Sequence, residues 1–242
     1  QDTPGPMTRS VRDAALVLSA IAGIDPKDPA TLMAKGKIKK NYTEGFETAS
    51  LKGVRLGLLK TYVSRHPEVE KVARKVLDRL SAEGAILVDV ELPERSTFGE
   101  AEREVLSFEF KADLNAYLAE RGGAMKTLKD LIDYNESHKD TAMPFFGQEI
   151  FLTAQARGDL NDEAYLKALA ICAQGARQDG IDAYLEKYKV EALISPTSTP
   201  AWLTDHINVT GGGGFSCSSL PAVAGYPHLT IPMGSVHGLP IG

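Results

Sequence analysis

The chain has 242 residues, 43% hydrophobic and 24% charged, with 27 Lys and Arg against 32 Asp and Glu for a net charge of −5. It is too apolar for intrinsic disorder and lacks the basic cluster of a nucleic-acid binder. No apolar run approaches the ~20 residues of a membrane span, and two cysteines, Cys172 and Cys217, make no disulfide scaffold.

The first expected element is a helix. Ser10 is placed to cap it, with Asp13 three residues on. Val11, Ala14, Ala15, Leu18, Ile21 and Ala22 recur at helical spacing, and Gly23 ends it. The prolines of Asp25-Pro26-Lys27-Asp28-Pro29 forbid continuation, and the polar residues 31–50 read as surface loop. Residues 54–60 (VRLGLLK) read as a strand. Pro67 opens a helix with Val69, Val72, Ala73, Val76, Leu77 and Leu80 on one face and Gly84 as its stop. Ile86, Val88, Val90 and Leu92 then alternate at the period of a strand. Strand, helix, strand is a βαβ unit, which predicts adjacent parallel strands with a right-handed crossover.

A long helix is expected from about Phe98 to Arg121, stopped by Gly122-Gly123, and a shorter one from Thr127 with Asp130 in the matching capping position. Pro144-Phe145-Phe146-Gly147 interrupts before a helix near Gln148 to Ala156. Asn161 is placed to cap the next, which carries Tyr165, Leu166, Leu169, Ile171 and Cys172, and Gly175 and Gly180 weaken it enough to divide it. Ala192-Leu193-Ile194-Ser195-Pro196 reads as a short buried strand. From Thr197 the composition turns to small residues, Gly and Pro. No acidic residue follows Asp205, and no Lys or Arg follows Lys189, as suits closely packed backbone or a pocket wall. The whole reads as α/β, a sheet carrying helices.

Read residue by residue, the chemistry is sparse. Gly211–Gly214 lacks the Gly-Lys-Ser/Thr of a phosphate loop and reads as a flexible loop or pocket edge. Gly214-Phe215-Ser216-Cys217-Ser218 is half of a nucleophile elbow without its closing Gly, and residues 217–242 hold no Asp or Glu to orient His228 or His237. The hydroxyls of Ser216, Ser218 and Ser219 suit a helix cap better. The five histidines show no metal-ligand spacing, and Asp205-His206 reads as a solvated loop pair. Cys172 sits on an apolar helical face and reads as core, while Cys217 is the more exposed of the two and would need a base near it to act.

The opening Gln1-Asp2-Thr3-Pro4-Gly5-Pro6-Met7-Thr8-Arg9-Ser10, running on through Val11-Arg12-Asp13-Ala14-Ala15, resembles a segment of the amidase signature family. So do Ala20–Gly23, Asp25-Pro26 and Leu51–Gly57. Near the other end, Ile194-Ser195-Pro196-Thr197, Leu220–Pro227 and Thr230–Gly234 are similar to that family's C-terminal pattern. The resemblance covers essentially the whole chain and is nearest to the bacterial peptide-amidase-like branch. It implies a mixed β-sheet flanked by helices in an α/β/α arrangement, one domain over 1–242 that is incomplete in this chain, with a helical insertion at about 98–188.

It also implies hydrolysis of a carboxamide of a small molecule or peptide by a Ser–cis-Ser–Lys triad, with no metal and no cofactor. In the family the lysine and the Gly/Ser-rich signature lie upstream of the D-T-P-G-P-M segment. Here no lysine precedes Lys27 and no serine precedes Ser10. The expectation is a C-terminal-side portion of a longer amidase, catalytically silent alone, with Gln1 and Gly242 as cuts and no catalytic residue assigned. Asp2, Thr3 and Arg9 are expected close to the reacting centre as structural supports. Phe145 and Phe146 are expected to supply apolar substrate surface, and Gln148 and Ser216 polar anchors. The implied partner is the amide substrate, with neither nucleic acid nor membrane. Uncovered sheet edge and core predict self-association of the chain. Two other readings stay open: a binding module that keeps the pocket without its chemistry, and a portion like the A-type component of a tRNA-dependent amidotransferase.

Overall fold

A computed structural model of the chain describes residues 5–63, 65–92, 98–207 and 214–242. In chain order the elements are α1 (Val11–Ile21), a 3₁₀ turn (Pro29–Ala34), β1 (Arg55–Leu59), α2 (Lys60–Val63), α3 (Pro67–Ala82) and β2 (Ile86–Val90). They continue with α4 (Gly99–Arg121), α5 (Leu128–Ser137), α6 (Lys139–Ala142), α7 (Glu149–Gln155), α8 (Glu163–Ala173), a π-helical stretch (Gln174–Asp182) and α9 (Ala183–Tyr188). Last come β3 (Ala192–Ile194), α10 (Ser219–Ala224), β4 (Gly234–Val236) and β5 (Leu239–Ile241). The described residues form two units. One gathers those of Gln1–Leu92, Leu185–Trp202 and Gly212–Gly242, the other those of Pro93–Tyr184 and Leu203–Gly211.

The first unit is built on a parallel sheet of order β2-β1-β3. β1 pairs with β2 from Arg55↔Ile86 to Leu59↔Val90 and with β3 from Leu56↔Ala192 to Leu58↔Ile194. The βαβ unit thus forms as its apolar spacing requires, with Pro67 in the first turn of α3 and the His66 ring accepting from Val69 N. Val69 and Ala73 of α3 are buried, one against Phe215, Val236 and Ile241, the other against Leu58 and Val63. β4 and β5 form a separate antiparallel hairpin. Arg55 fastens the start of β1 to the end of α9, donating from Nε to Lys189 O at 2.7 Å and from Nη2 to Tyr188 O at 3.2 Å. The α/β class read from the sequence is the class of the fold: a parallel sheet with helices against it.

The second unit is helical. α4 packs against α7 and α8, and α5 against α7. Leu128, Ile132 and Ala154 form a buried cluster backed by Leu114 and Phe151. Thr127 and Asp130 close the capping box expected of α5. Lys111 of α4 donates to the carbonyls of Gln155 and Arg157, which neutralises the C-terminal end of α7. Arg157 also pairs with Glu104 at 2.7 Å, its guanidinium over the Phe108 ring.

Two local expectations, both of helix caps, are corrected. α8 is capped by Asp162, whose side chain accepts from Ala164 N, and not by Asn161. Asn161 stands one residue before the cap position, its backbone N–H donating to the Asp159 carboxylate at 2.7 Å. The packed face of α8 is Tyr165, Ala168 and Cys172, whereas Leu166, Leu169 and Ile171 are exposed. The α10 N-cap residue Ser218 makes no side-chain capping bond, because its hydroxyl instead meets Ser216 Oγ at 2.8 Å.

Candidate functional site

In the first unit, the small-residue segment after β3 folds back on itself as a knot of backbone hydrogen bonds. Thr197 N donates to Gly242 O at 2.8 Å, Cys217 N to Thr197 O at 3.0 Å, and Met233 N to Ile241 O at 2.9 Å. Ser198 and Ser216 form an antiparallel bridge. Thr197 and Thr230 touch through their hydroxyls at 3.1 Å. Lacking charged side chains, these strips approach closely enough to satisfy one another's main-chain groups. Phe215 anchors the segment, with its ring 5.8 Å from that of Tyr62 and buried among Val69, Val236 and Ile241. Burial, and second the nearby Cys217, pushes the Tyr62 hydroxyl up from its ordinary range. Beside Phe215, the Ser216 side chain faces outward with its hydroxyl against Ser218.

In the second unit, the Pro144–Gln148 loop presents two aromatic rings to solvent, Phe145 at 63% and Phe146 at 48% exposure. Both meet His206. Phe145 stacks on the imidazole with centroids 4.3 Å apart and planes 11° from parallel, and Phe146 tilts against it at 5.8 Å. Gln148 holds the loop from behind: its amide donates to Ile132 O and its oxygen accepts from Asn135, both at 3.2 Å. Gln148 therefore spends polar groups at both ends of its amide on fixing the loop to α5. A cavity of about 390 Å³ also opens in this unit, lined by Lys111, Asn115, Asp159 and Leu160.

Of the residues singled out in the sequence, Phe145, Phe146 and Gln148 share one loop, and Ser216 belongs to the other unit. Arg9 is exposed in the bend before α1. Asp2 and Thr3 lie outside the described residues, as do three of the four glycines in Gly211–Gly214. Two groups escaped the sequence reading. His206 looked like a solvated loop residue yet carries both phenyl rings, and His228 places its Nε2 3.7 Å from Cys217 Sγ. The first pairing joins residues remote in sequence and the second is made across α10, and no spacing rule announces either.

The sheet and the interlocked Gly/Pro/Ser-rich strips define an α/β protein of the class suggested by the two end segments. The Amidase family model matches residues 1–242, and the chain belongs to that family. A probable amidase of Arabidopsis thaliana is 32% identical over 100% of this chain and 44% of its own length. The A-type component of the glutamyl-tRNA(Gln) amidotransferase of Bdellovibrio bacteriovorus is 30% identical over 100% of this chain and 50% of its own. Among solved structures, the native peptide amidase of Stenotrophomonas maltophilia is 39% identical with a TM-score of 0.89, across 98% of this chain and 48% of that one. The chain thus spans about half the length of the curated relatives it matches.

Proposed function

We propose that the chain serves an amidase that hydrolyses the carboxamide of a small molecule or short peptide to a carboxylate and ammonia. On this reading these 242 residues supply scaffold and substrate contacts, not the reacting groups. The observation that carries it is the family match along the entire chain, reinforced by 39% identity to a peptide amidase across 48% of that protein. The second part rests on composition: residues 1–26 contain no lysine and residues 1–9 no serine, so the upstream Ser–cis-Ser–Lys signature of the resemblance has no counterpart before α1.

In such a reaction a serine attacks the amide carbonyl and a proton passes to the departing amine. The roles left for this chain are recognition and exclusion of water. Phe145 and Phe146 offer rigid apolar surface, Ser216 an outward-facing hydroxyl, and Gln148 the fixed geometry of the aromatic loop. The exposed apolar face of α1 supports self-association of the chain when it is alone.

Ammonia release from a panel of peptide amides and small carboxamides tests this reading. The parent open reading frame is expected to turn over and the 242-residue chain alone to remain silent. Robust turnover by the chain alone would sink the assignment of roles, and inactivity of the parent toward every carboxamide would sink the substrate class. The similarity to the A-type component of an amidotransferase favours a second reading, transamidation with partner proteins. A net charge of −5 leaves such an assembly to find its RNA contacts on those partners.

A further inference from the structure

We propose that Cys217 and His228 form a thiol–imidazole pair that makes Cys217 a covalent modification site for low-molecular-weight disulfides. The sulfur and Nε2 are 3.7 Å apart, within reach of a sulfur hydrogen bond. The backbone holds them there from both sides. Cys217 N is tied to Thr197 O, its neighbour Ser216 is bridged to Ser198, and Phe215 is locked in the core beside Tyr62. After α10, Gly225 at φ 67° reverses the chain, with its N–H on Ala222 O at 3.1 Å and Tyr226 N on Pro221 O at 3.0 Å. That left-handed turn, open to glycine, brings His228 back to the thiol.

The thiol is half-buried and the imidazole exposed, so a small reagent reaches the pair without unfolding the chain. No third ligand stands by: among the described residues no group of three or more His, Cys, Asp and Glu could hold a metal ion. Cys172 provides the internal contrast. It is 4% exposed, and burial pushes its thiol up, with Glu102 and Glu109 adding to the effect, so it is inert.

The step balances without any further oxidant. His228 Nε2 takes the thiol proton, and the Cys217 thiolate attacks one sulfur of the disulfide. A protein–reagent S–S bond forms as the reagent's own S–S bond breaks. The departing thiolate takes up the proton from the imidazolium and leaves as a thiol.

Oxidised glutathione is the probe, with adduct formation followed by intact-mass spectrometry and located by peptide mapping. One adduct is expected, on Cys217, forming several-fold faster than on an unstructured peptide spanning residues 214–219, which carries the thiol without the imidazole beside it. H228Q is expected to slow it by a similar factor and C217S to abolish it, with Cys172 unmodified throughout. A circular dichroism spectrum and a urea midpoint equal to wild type report that H228Q is folded, since Cys172 lies in the other unit. An H228Q rate equal to wild type in a variant with the wild-type urea midpoint overturns the proposal. So does a wild-type rate no faster than the peptide's, a comparison that needs no variant.

Discussion

Tyr165 shows how a buried hydroxyl records its surroundings. Its ring packs 5.6 Å from Phe108 and its hydroxyl donates to Glu109 at 2.8 Å. Burial first, and the Glu109 carboxylate second, push its ionisation from 10.0 up to about 12. The unfolded chain loses this proton first as pH rises. The stability that Tyr165 contributes is therefore complete below pH 10 and drains away between there and about 12. Tyr165→Phe is expected to lower neutral-pH stability by about 1–3 kcal/mol and to flatten the alkaline fall, read as urea midpoint against pH. At this scale the sequence is only partly legible. The Ser10 cap and the Thr127–Asp130 box are local and were readable, since their partners lie three residues away. The Asp162 cap was hidden because Asn and Asp at adjacent positions are equally good caps, the His206 contact because it joins distant loops, and the His228 contact because it is made across α10 and its closing turn.

Among elements, β1 has the tightest demands. It is the central strand, and a Cβ on Gly57 would stand 2.9 Å from Leu193 Cδ2 and 3.0 Å from both Val190 Cγ2 and Val90 Cγ2. Three side chains from both neighbouring strand segments would have to give at once. Gly57→Ala is expected to destabilise the fold by about 1–3 kcal/mol, measured by urea unfolding with tryptophan or circular dichroism as the signal. The β1–α3–β2 unit was legible because its period-two and period-3.6 patterns are clean and contiguous. α8 was legible as a helix but not as an orientation. Its sequence is apolar nearly all round, so spacing cannot say which stripe is buried, and packing chose Tyr165, Ala168 and Cys172. The weakness expected at Gly175 and Gly180 emerges as the π-helical stretch, with non-helical φ/ψ at Gly180.

Over the whole molecule, the most telling feature is apolar surface left open among the described residues. α1 buries Ala15 alone, while Leu16 is 53% and Ile21 59% exposed, with Val17 and Leu18 also open. A helix of that composition left in water promotes association. The isolated chain is expected to run above its monomer mass in light scattering at micromolar concentration, and polar substitution of Leu16 and Ile21 together to return it toward monomer. A monomeric wild-type chain would refute this. The family itself was legible from two end segments, because motif order survives where geometry is invisible. The strand order β2-β1-β3 carries a further consequence, for the order of events as the chain organises. β2 can join β1 across one short helix, but β3 must wait for a tether that includes all of Pro93–Tyr184. Closing a loop of n residues costs about (3/2)RT ln n, and a tether already condensed on its own helices acts as a shorter one. The helical unit, by folding early, would lower the entropic barrier to the last strand of a sheet to which it contributes no residue.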